Sequence, residues 1–146
     1  MTSDKIKRVM DACYMAKRVR DMLPALPGGV TSSHIHYLDT IRQLESMKEN
    51  VKVSDISDML GLPRPSVTKT IKDMKNLGFV KKMTTKEDGR VVYIQITDSG
   101  KALVDTYVDQ YFNELSKELS DITDEQANIM IEVVEKFYTV MSKRKV

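Results

Sequence analysis

The sequence has little cysteine and few aromatic residues. Among its 146 residues there is one cysteine, Cys13, no tryptophan, and an aromatic fraction of 6%. A lone cysteine cannot form a disulfide within the chain, which argues against a disulfide-stapled secreted domain and favours the reducing cytoplasm. No apolar run approaches the roughly 20 residues of a membrane span, and the charged N-terminal residues lack a signal-peptide core. We therefore expect a cytoplasmic protein that does not enter a membrane.

The sequence also lacks the patterns that carry catalysis. It contains no glycine-rich phosphate loop, no cluster of cysteine and histidine ligands, and no nucleophile with a recognisable base. Its two histidines, His34 and His36, diverge by about 200° on a helix, so they cannot share one metal ion. We expect both of them at the surface. The sequence therefore predicts neither an enzyme, nor a cofactor, nor a metal site.

The charged residues are segregated along the chain. Residues 61–97 carry a net charge of +5, whereas residues 98–135 carry a net charge of −8. A basic segment beside an acidic one favours a local positive patch that can neutralise phosphates. The alternative is that the two segments are solvated helix faces of opposite sign.

Apolar residues recur at helical spacing in the first and the last third of the chain. The first third predicts an amphipathic helix over residues 4–23 and a second one that begins near residues 31–33 and ends near Met47. In the last third, Thr97 or Asp98 can cap a long helix. Residues 123–126 then form a capping box that opens the final helix.

The middle of the chain is divided into short elements. Ser54 can cap a brief helix that Gly61 closes, and Pro65 suits the first position of another helix that ends at Gly78. The apolar period then becomes alternating. Residues 79–84 and 91–97 are therefore predicted to pair as a hairpin around a polar loop. Residues 51–53 are compatible with a short edge strand.

A short helix, a turn, a second helix and a hairpin, in this order, form the winged helix-turn-helix arrangement. In the second helix, Val67, Ile71 and Met74 are predicted to face the core, which turns the opposite face outward. That outer face suits the DNA major groove, and the hairpin can reach an adjacent minor groove. The residues expected to contact phosphates or bases are Arg64, Pro65, Ser66, Thr68, Lys69 and Lys72. The alternative is an ordinary amphipathic helix with a solvated basic face.

Two stretches of the sequence resemble the MarR family. Residues 54–82, SDISDMLGLPRPSVTKTIKDMKNLGFVKK, resemble its helix-turn-helix, and residues 86–100 resemble its wing and the start of the next helix. The resemblance implies a mainly α fold with a small β-hairpin wing (α+β), and long N- and C-terminal dimerisation helices. It also implies a homodimeric transcription regulator, usually a repressor. The alternative is that the terminal helices pack only within one chain.

The resemblance implies three parts of the chain. Residues 1–30 would form an N-terminal dimerisation helix and linker, and residues 31–97 the winged helix-turn-helix DNA-binding domain. Residues 98–146 would form the C-terminal dimerisation helices.

The wing carries Lys86, Asp88 and Arg90, which we expect to take part in DNA binding. Arg90 in a projecting hairpin can enter a narrow minor groove, where the negative potential is enhanced. Asp88 cannot attract DNA, so we expect it to accept hydrogen bonds or to pair with a basic side chain and hold the shape of the wing. An Asp and an Arg at these positions are characteristic of the MarR wing. The alternative is an exposed turn with incidental charges.

The resemblance further implies an effector, commonly a small aromatic acid or a phenol, bound between the dimerisation helices and the winged domain. Met10, Tyr14, Tyr37 and Met47 are the candidate ligand-binding residues, although such residues are also typical of a core. Cys13 is a candidate redox residue, because some family members sense peroxides through a lone cysteine in the first helix. A packed, inert thiol is the alternative.

Taken together, these features predict a homodimeric, sequence-specific repressor that binds a pseudo-palindromic operator in double-stranded DNA and is released by a small-molecule effector. The alternative is a winged-helix module that serves protein interaction, or DNA binding without regulation.

Overall fold

Helices make up most of the fold, and one antiparallel hairpin interrupts them. The structure, a computed structural model, describes residues 1–84 and 91–144. Its elements in chain order are α1 (Ser3–Asp21), α2 (Ser32–Met47), α3 (Val53–Leu60), α4 (Arg64–Asn76), β1 (Val80–Thr84), β2 (Val92–Ile96), α5 (Asp98–Val104), a π-helical turn (Asp105–Gln110), α6 (Tyr111–Glu118) and α7 (Asp124–Ser142). The predicted class, mainly α with a β-hairpin, is confirmed.

The second helix begins with a capping box built on histidine. The Thr31 hydroxyl accepts a hydrogen bond from the backbone N–H of His34, and His34 Nδ1 accepts one from the backbone N–H of Thr31, both at 3.2 Å. His34 is buried. The expectation that both histidines lie at the surface is therefore wrong for His34, because its ring turns back to satisfy the first turn of the helix.

The third helix begins earlier than the sequence predicts. It starts at Val53, and the Asp55 carboxylate accepts a hydrogen bond of 2.7 Å from the backbone N–H of Lys52. Lys48 pairs with the same carboxylate at 2.9 Å. Because the helix already includes residue 53, the edge strand considered for residues 51–53 is reduced to one bridge, between Val51 and Ile94.

A tight turn joins α3 to α4. Gly61 has a φ of 63°, in the left-handed region that favours glycine, and it ends α3. The Ser57 hydroxyl donates a hydrogen bond of 2.6 Å to the Leu62 carbonyl, which holds the turn against α3. Helix α4 then begins at Arg64, so Pro65 occupies its second position and not the first.

The hairpin pairs β1 with β2 from Val80 opposite Ile96 to Thr84 opposite Val92. The backbone N–H of Thr97 donates to the Phe79 carbonyl at 3.0 Å, and the Thr97 hydroxyl donates to the Gly78 carbonyl at 2.7 Å. The same hydroxyl accepts from the backbone N–H of Gly100 at 3.2 Å. Thr97 therefore ties the base of the hairpin to the start of α5.

The core lies between α2 and the helix-turn-helix, and the hairpin and α5 close it. The buried apolar residues are Tyr37, Leu38, Ile41, Leu44, Val51, Ile56, Val67, Ile71, Met74, Val80, Ile94, Ile96 and Val104. Every element from α2 to α5 contributes to this cluster, which makes the middle of the chain one packed unit.

The long helix that was predicted to begin near residue 98 is not regular. It contains the π-helical turn Asp105–Gln110 between α5 and α6. Arg42 of α2 forms a bidentate pair with Asp109, at 2.6 and 2.8 Å, and also bonds to Asp105 at 3.2 Å and Asp39 at 3.0 Å. Hydrogen bonding to Asp109 raises the pKa of Arg42 against the opposing effect of burial, and the guanidinium lowers the pKa of Asp109. This cluster fixes the π-helical turn to α2.

The first and last helices bury no residue within the single chain. Their exposed large apolar side chains are Ile6, Met10, Tyr14, Met15 and Val19 on α1, and Ile129, Met130, Ile131, Val133, Val134, Tyr138, Val140 and Met141 on α7. In the part of the chain that the structure describes, no helix combines the length and the apolar character needed to cross a membrane.

Candidate nucleic-acid interface

Helix α4 divides sharply into a buried and an exposed face. Val67, Ile71 and Met74 are each 1% exposed or less, as the spacing predicts. All the α4 residues proposed for DNA contact are exposed: Arg64, Pro65, Ser66, Thr68, Lys69 and Lys72. The structure therefore brings these residues together on one helix: Pro65, Lys69 and Lys72 lie opposite the core, Ser66 and Thr68 lie on its flanks, and Arg64 lies at its start.

The exposed face of α4 is basic and is held rigidly. Lys75 lies in its last turn and adds to Arg64, Lys69 and Lys72, whereas Asp73 is the acidic residue of this helix. The hydroxyl of Thr70 donates to the Ser66 carbonyl at 3.2 Å, within the helix. Because the opposite face is packed in the core, the exposed side chains extend from a fixed backbone.

The hairpin adds basic residues that the site prediction omitted. Lys81 and Lys82 lie on β1, and both are exposed. The charge count of residues 61–97 includes them, but the alternating pattern does not say which strand residues are accessible. The predicted wing residues Lys86, Asp88 and Arg90 lie outside the described residues, so their roles stay predictions.

A cavity of about 850 Å³ lies between α1, the start of α2 and the segment from the π-helical turn to α6. Its apolar wall includes Val19, Leu26 and Val108, and Tyr107 and Tyr111 add aromatic rings. Polar side chains also reach it. Those are Arg20, Asp21, Thr31, Ser32, His36 and Asp39. A mixed lining of this kind suits a small organic molecule with both an apolar ring and polar groups.

The structure does not place the four residues predicted to bind a ligand at this cavity, and their role stays a prediction. Tyr37 is buried in the core, whereas Tyr14 and Met47 are exposed, and Met10 lies on the exposed apolar face of α1. None of the four lines the cavity of about 850 Å³. The sequence could not reveal the lining, because it is assembled from segments that are distant in the chain. Cys13 is a half-exposed free thiol on α1 and does not line this cavity either.

The helix-turn-helix followed by a hairpin that packs on the same core defines a winged-helix protein. Residues 29–91 match the model of the MarR family. The match spans α2, the helix-turn-helix and β1, which is less than half of the chain.

Known proteins resemble this chain at low sequence identity. The uncharacterized HTH-type transcriptional regulator YdgJ of Bacillus subtilis (strain 168) is 19% identical over 106 residues, which cover 73% of this chain and 62% of that relative. FabT of Streptococcus pneumoniae, solved in complex with DNA, superposes with a TM-score of 0.69 at 15% identity, covering 99% of this chain and 100% of its own.

A further structural neighbour is a protein that responds to a small molecule. It is that of BpsR of Bordetella bronchiseptica, whose DNA binding is regulated by 6-hydroxynicotinic acid. It superposes with a TM-score of 0.65 at 14% identity and covers 91% of this chain and 98% of its own. At these identities the likeness shows a shared fold.

Proposed function

We propose that this protein is a cytoplasmic, sequence-specific DNA-binding regulator of transcription, and that it acts as a homodimeric repressor. The observation that carries the proposal is the exposed basic face of α4, backed by Val67, Ile71 and Met74 in the core. The helix-turn-helix and the hairpin are the elements that winged-helix proteins use to contact DNA. FabT, a structural neighbour, was solved in complex with DNA, which supports the same assignment.

Helix α4 is proposed to enter the major groove. Lys69 and Lys72 extend from its middle turns, where they can bind guanine edges or phosphates. Ser66 and Thr68 lie beside them and can bond bases or phosphates through their hydroxyls. Arg64 at the start of the helix is proposed to bind the phosphate backbone, and the hairpin to reach the neighbouring minor groove.

Helices α1 and α7 are proposed to form the dimer interface. Both are amphipathic, neither buries a residue within one chain, and together they expose a large apolar surface that an isolated protein rarely leaves in water. Residues 1–30 and 98–146 would then serve dimerisation, and residues 31–97 DNA binding. Two-fold symmetry would present two α4 helices to half-sites about one helical turn apart.

The cavity beside α1 is proposed as the effector site. It lies where the α1 and α6 helices meet α2, so a ligand there would contact both the dimerisation and the DNA-binding parts. An effector that prefers one spacing of the two α4 helices would change DNA affinity by its differential binding to the two states. BpsR, whose DNA binding responds to an aromatic acid, supports a small aromatic effector.

The test is selection of bound duplexes from a random DNA pool at near-physiological salt. We expect enrichment of a two-fold symmetric site, which would also serve as the probe for displacement by small aromatic acids. Binding without enrichment, lost as the salt concentration rises, would reflect phosphate attraction alone and would contradict the proposal.

A single substitution tests the role of α4. Lys69→Ala should weaken binding to the selected duplex, and if Lys69 contacts phosphate the slope of log affinity against log salt should fall by about one unit. Lys117→Ala is the matched control, because it removes the same charge from an exposed position on α6. Equal affinities of the Lys69→Ala variant and the wild type would exclude Lys69 from the interface.

A further inference from the structure

The backbone donors of Ile94 and Ile96, on the outer edge of β2, have no partner strand. In the hairpin, Val80 pairs with Ile96 and Lys82 pairs with Ile94. The backbone N–H groups of Ile94 and Ile96 point away from β1, because that of Ile94 donates to the Val51 carbonyl at 2.8 Å. Successive N–H groups along a strand alternate between its two edges, so residues 94 and 96 share the outer one. A two-stranded hairpin with a free edge is marginally stable in water. The groups that accept hydrogen bonds from these donors therefore help to fix the position of the hairpin.

The donor of Ile96 is satisfied by a side chain. Glu45, one residue beyond buried Leu44 on α2, is half-buried, and its Oε1 accepts the Ile96 N–H at 2.8 Å. If the chain continued past Val51 as a third strand beside β2, one of its backbone carbonyls would accept the Ile96 N–H. The Glu45 carboxylate takes the place of that carbonyl. A hydrogen bond to a carboxylate is stronger than one between neutral groups.

We propose that Glu45 is a positioning residue for DNA binding: it sets the direction in which the hairpin leaves the winged-helix core. The proposal rests on the proposed function, because it assumes that the hairpin contacts DNA. Glu45 itself lies on α2 and does not need to touch the nucleic acid.

We call the hydrogen bond between Glu45 and the Ile96 N–H the anchor. The position of the far end of the hairpin is sensitive to small changes at this anchor. Residue 91 lies five positions from Ile96, about 16 Å along an extended strand. A rotation of about 10° at the anchor would move that end of the strand by about 3 Å, which is enough to break any hydrogen bond made there. Helix α4 makes no use of the Glu45 carboxylate, because it packs through Val67, Ile71 and Met74 in the core. Loss of the anchor should therefore affect the contacts of the hairpin and leave those of α4 in place.

The experiment compares three variants with the wild-type protein on a selected duplex. Glu45→Ala removes the acceptor, and Glu45→Gln restores an acceptor oxygen without the charge. Glu49→Ala is the matched control, because it removes the same charge from an exposed position just beyond the end of α2. Should the alanine variant fail to fold, Glu45→Met replaces it, because the methionine side chain has a similar length, lacks the carboxylate and favours a helix.

Two readouts are needed. Amide hydrogen exchange, followed by NMR with labelled isoleucine, reports on the anchor. In Glu45→Ala the Ile96 amide should exchange at least about tenfold faster. Hydroxyl-radical footprinting reports on the DNA. Protection at the flanks of the site should be lost, protection at its half-site centres should persist, and affinity should fall about three- to tenfold. Glu45→Gln should recover most of each effect, and Glu49→Ala should show none.

The outcomes distinguish a failure of the positioning role of Glu45 from a failure of the proposed function. Faster exchange at Ile96 with an unchanged footprint would make Glu45 structural only and would overturn the proposal. Unchanged exchange would show that the carboxylate does not hold the strand, and would overturn it as well. Wild-type protein that enriches no duplex would refute the proposed function, and the positioning role with it.

Discussion

Gly100 lies where helix α5 meets the base of the hairpin, and its replacement by alanine tests how closely the two pack. The residue is buried, and a Cβ added there would lie 2.8 Å from Ile96 Cγ1 and 3.3 Å from Leu38 Cδ2. It would also lie well inside contact distance of the Phe79 carbonyl oxygen. That oxygen cannot easily move, because it accepts the hydrogen bond from the backbone N–H of Thr97.

Two effects of opposite sign decide the outcome. Alanine is favoured over glycine within a helix by about 1 kcal/mol. Overpacking a core typically costs about 1–3 kcal/mol, and loss of the hydrogen bond between Thr97 and Phe79 costs about 1 kcal/mol more. The steric effect therefore prevails, and Gly100→Ala should lower the free energy of unfolding by about 2 kcal/mol. Helix propensity alone predicts the opposite sign.

Urea denaturation followed by circular dichroism measures the difference, at one fixed protein concentration because dimerisation would shift the midpoint. Ala102→Gly is the control, since Ala102 is an exposed residue of the same helix. It should cost about 1 kcal/mol through propensity alone. A Gly100→Ala variant as stable as the wild type, or more stable, would refute the close packing of α5 on the hairpin.

Two further predictions concern ion pairs. Burial raises the pKa of Asp55, but the hydrogen bonds from Lys48 and the Lys52 backbone outweigh it, so the net pKa lies below its ordinary value. Its carboxylate therefore adds stability above a pH of about 4, which is lost as the pH falls through the lower folded pKa. Asp55→Asn should cost about 1 kcal/mol at pH 7 and progressively less below pH 4 in urea titrations, and a pH-independent deficit would contradict this. Arg42→Gln should lower the free energy of unfolding by about 1–2 kcal/mol. The loss is smaller than for a fully buried ion pair, because the side chains of this cluster are partly exposed. That deficit should shrink in 1 M NaCl, where charges are screened within about 3 Å, and a salt-independent deficit would exclude an ionic origin.

The sequence predicted helix α4 and its buried face because the pattern of apolar residues is local. Val67, Ile71 and Met74 recur at helical spacing and are buried, so the exposed face follows directly. The alternation after Gly78 likewise predicted the hairpin. Both signals depend on neighbours a few residues apart, and tertiary packing reinforces them.

Other features depend on contacts that no local pattern contains. The π-helical turn is tied to Arg42, more than sixty residues earlier, so regular spacing predicted a continuous α-helix there. The start of α3 was misplaced because Asp55 satisfies the backbone of Lys52, whereas Ser54 had the commoner capping residue type. The cavity requires α1, α2 and α6 to meet, and its lining could not be inferred from apolar character alone.

The π-helical turn also changes the phase of the helix that contains it. Each residue of an α-helix turns the chain by about 100°, so one residue accommodated in a wider turn rotates everything after it. Val104 before the turn faces the winged-helix core, whereas Tyr111 and Leu115 after it face the cavity. One helix can thereby present two differently directed faces to two parts of the protein. The length of this segment is consequently constrained more strictly than its composition: a substitution alters one contact, whereas deletion of a single residue would redirect all of α6.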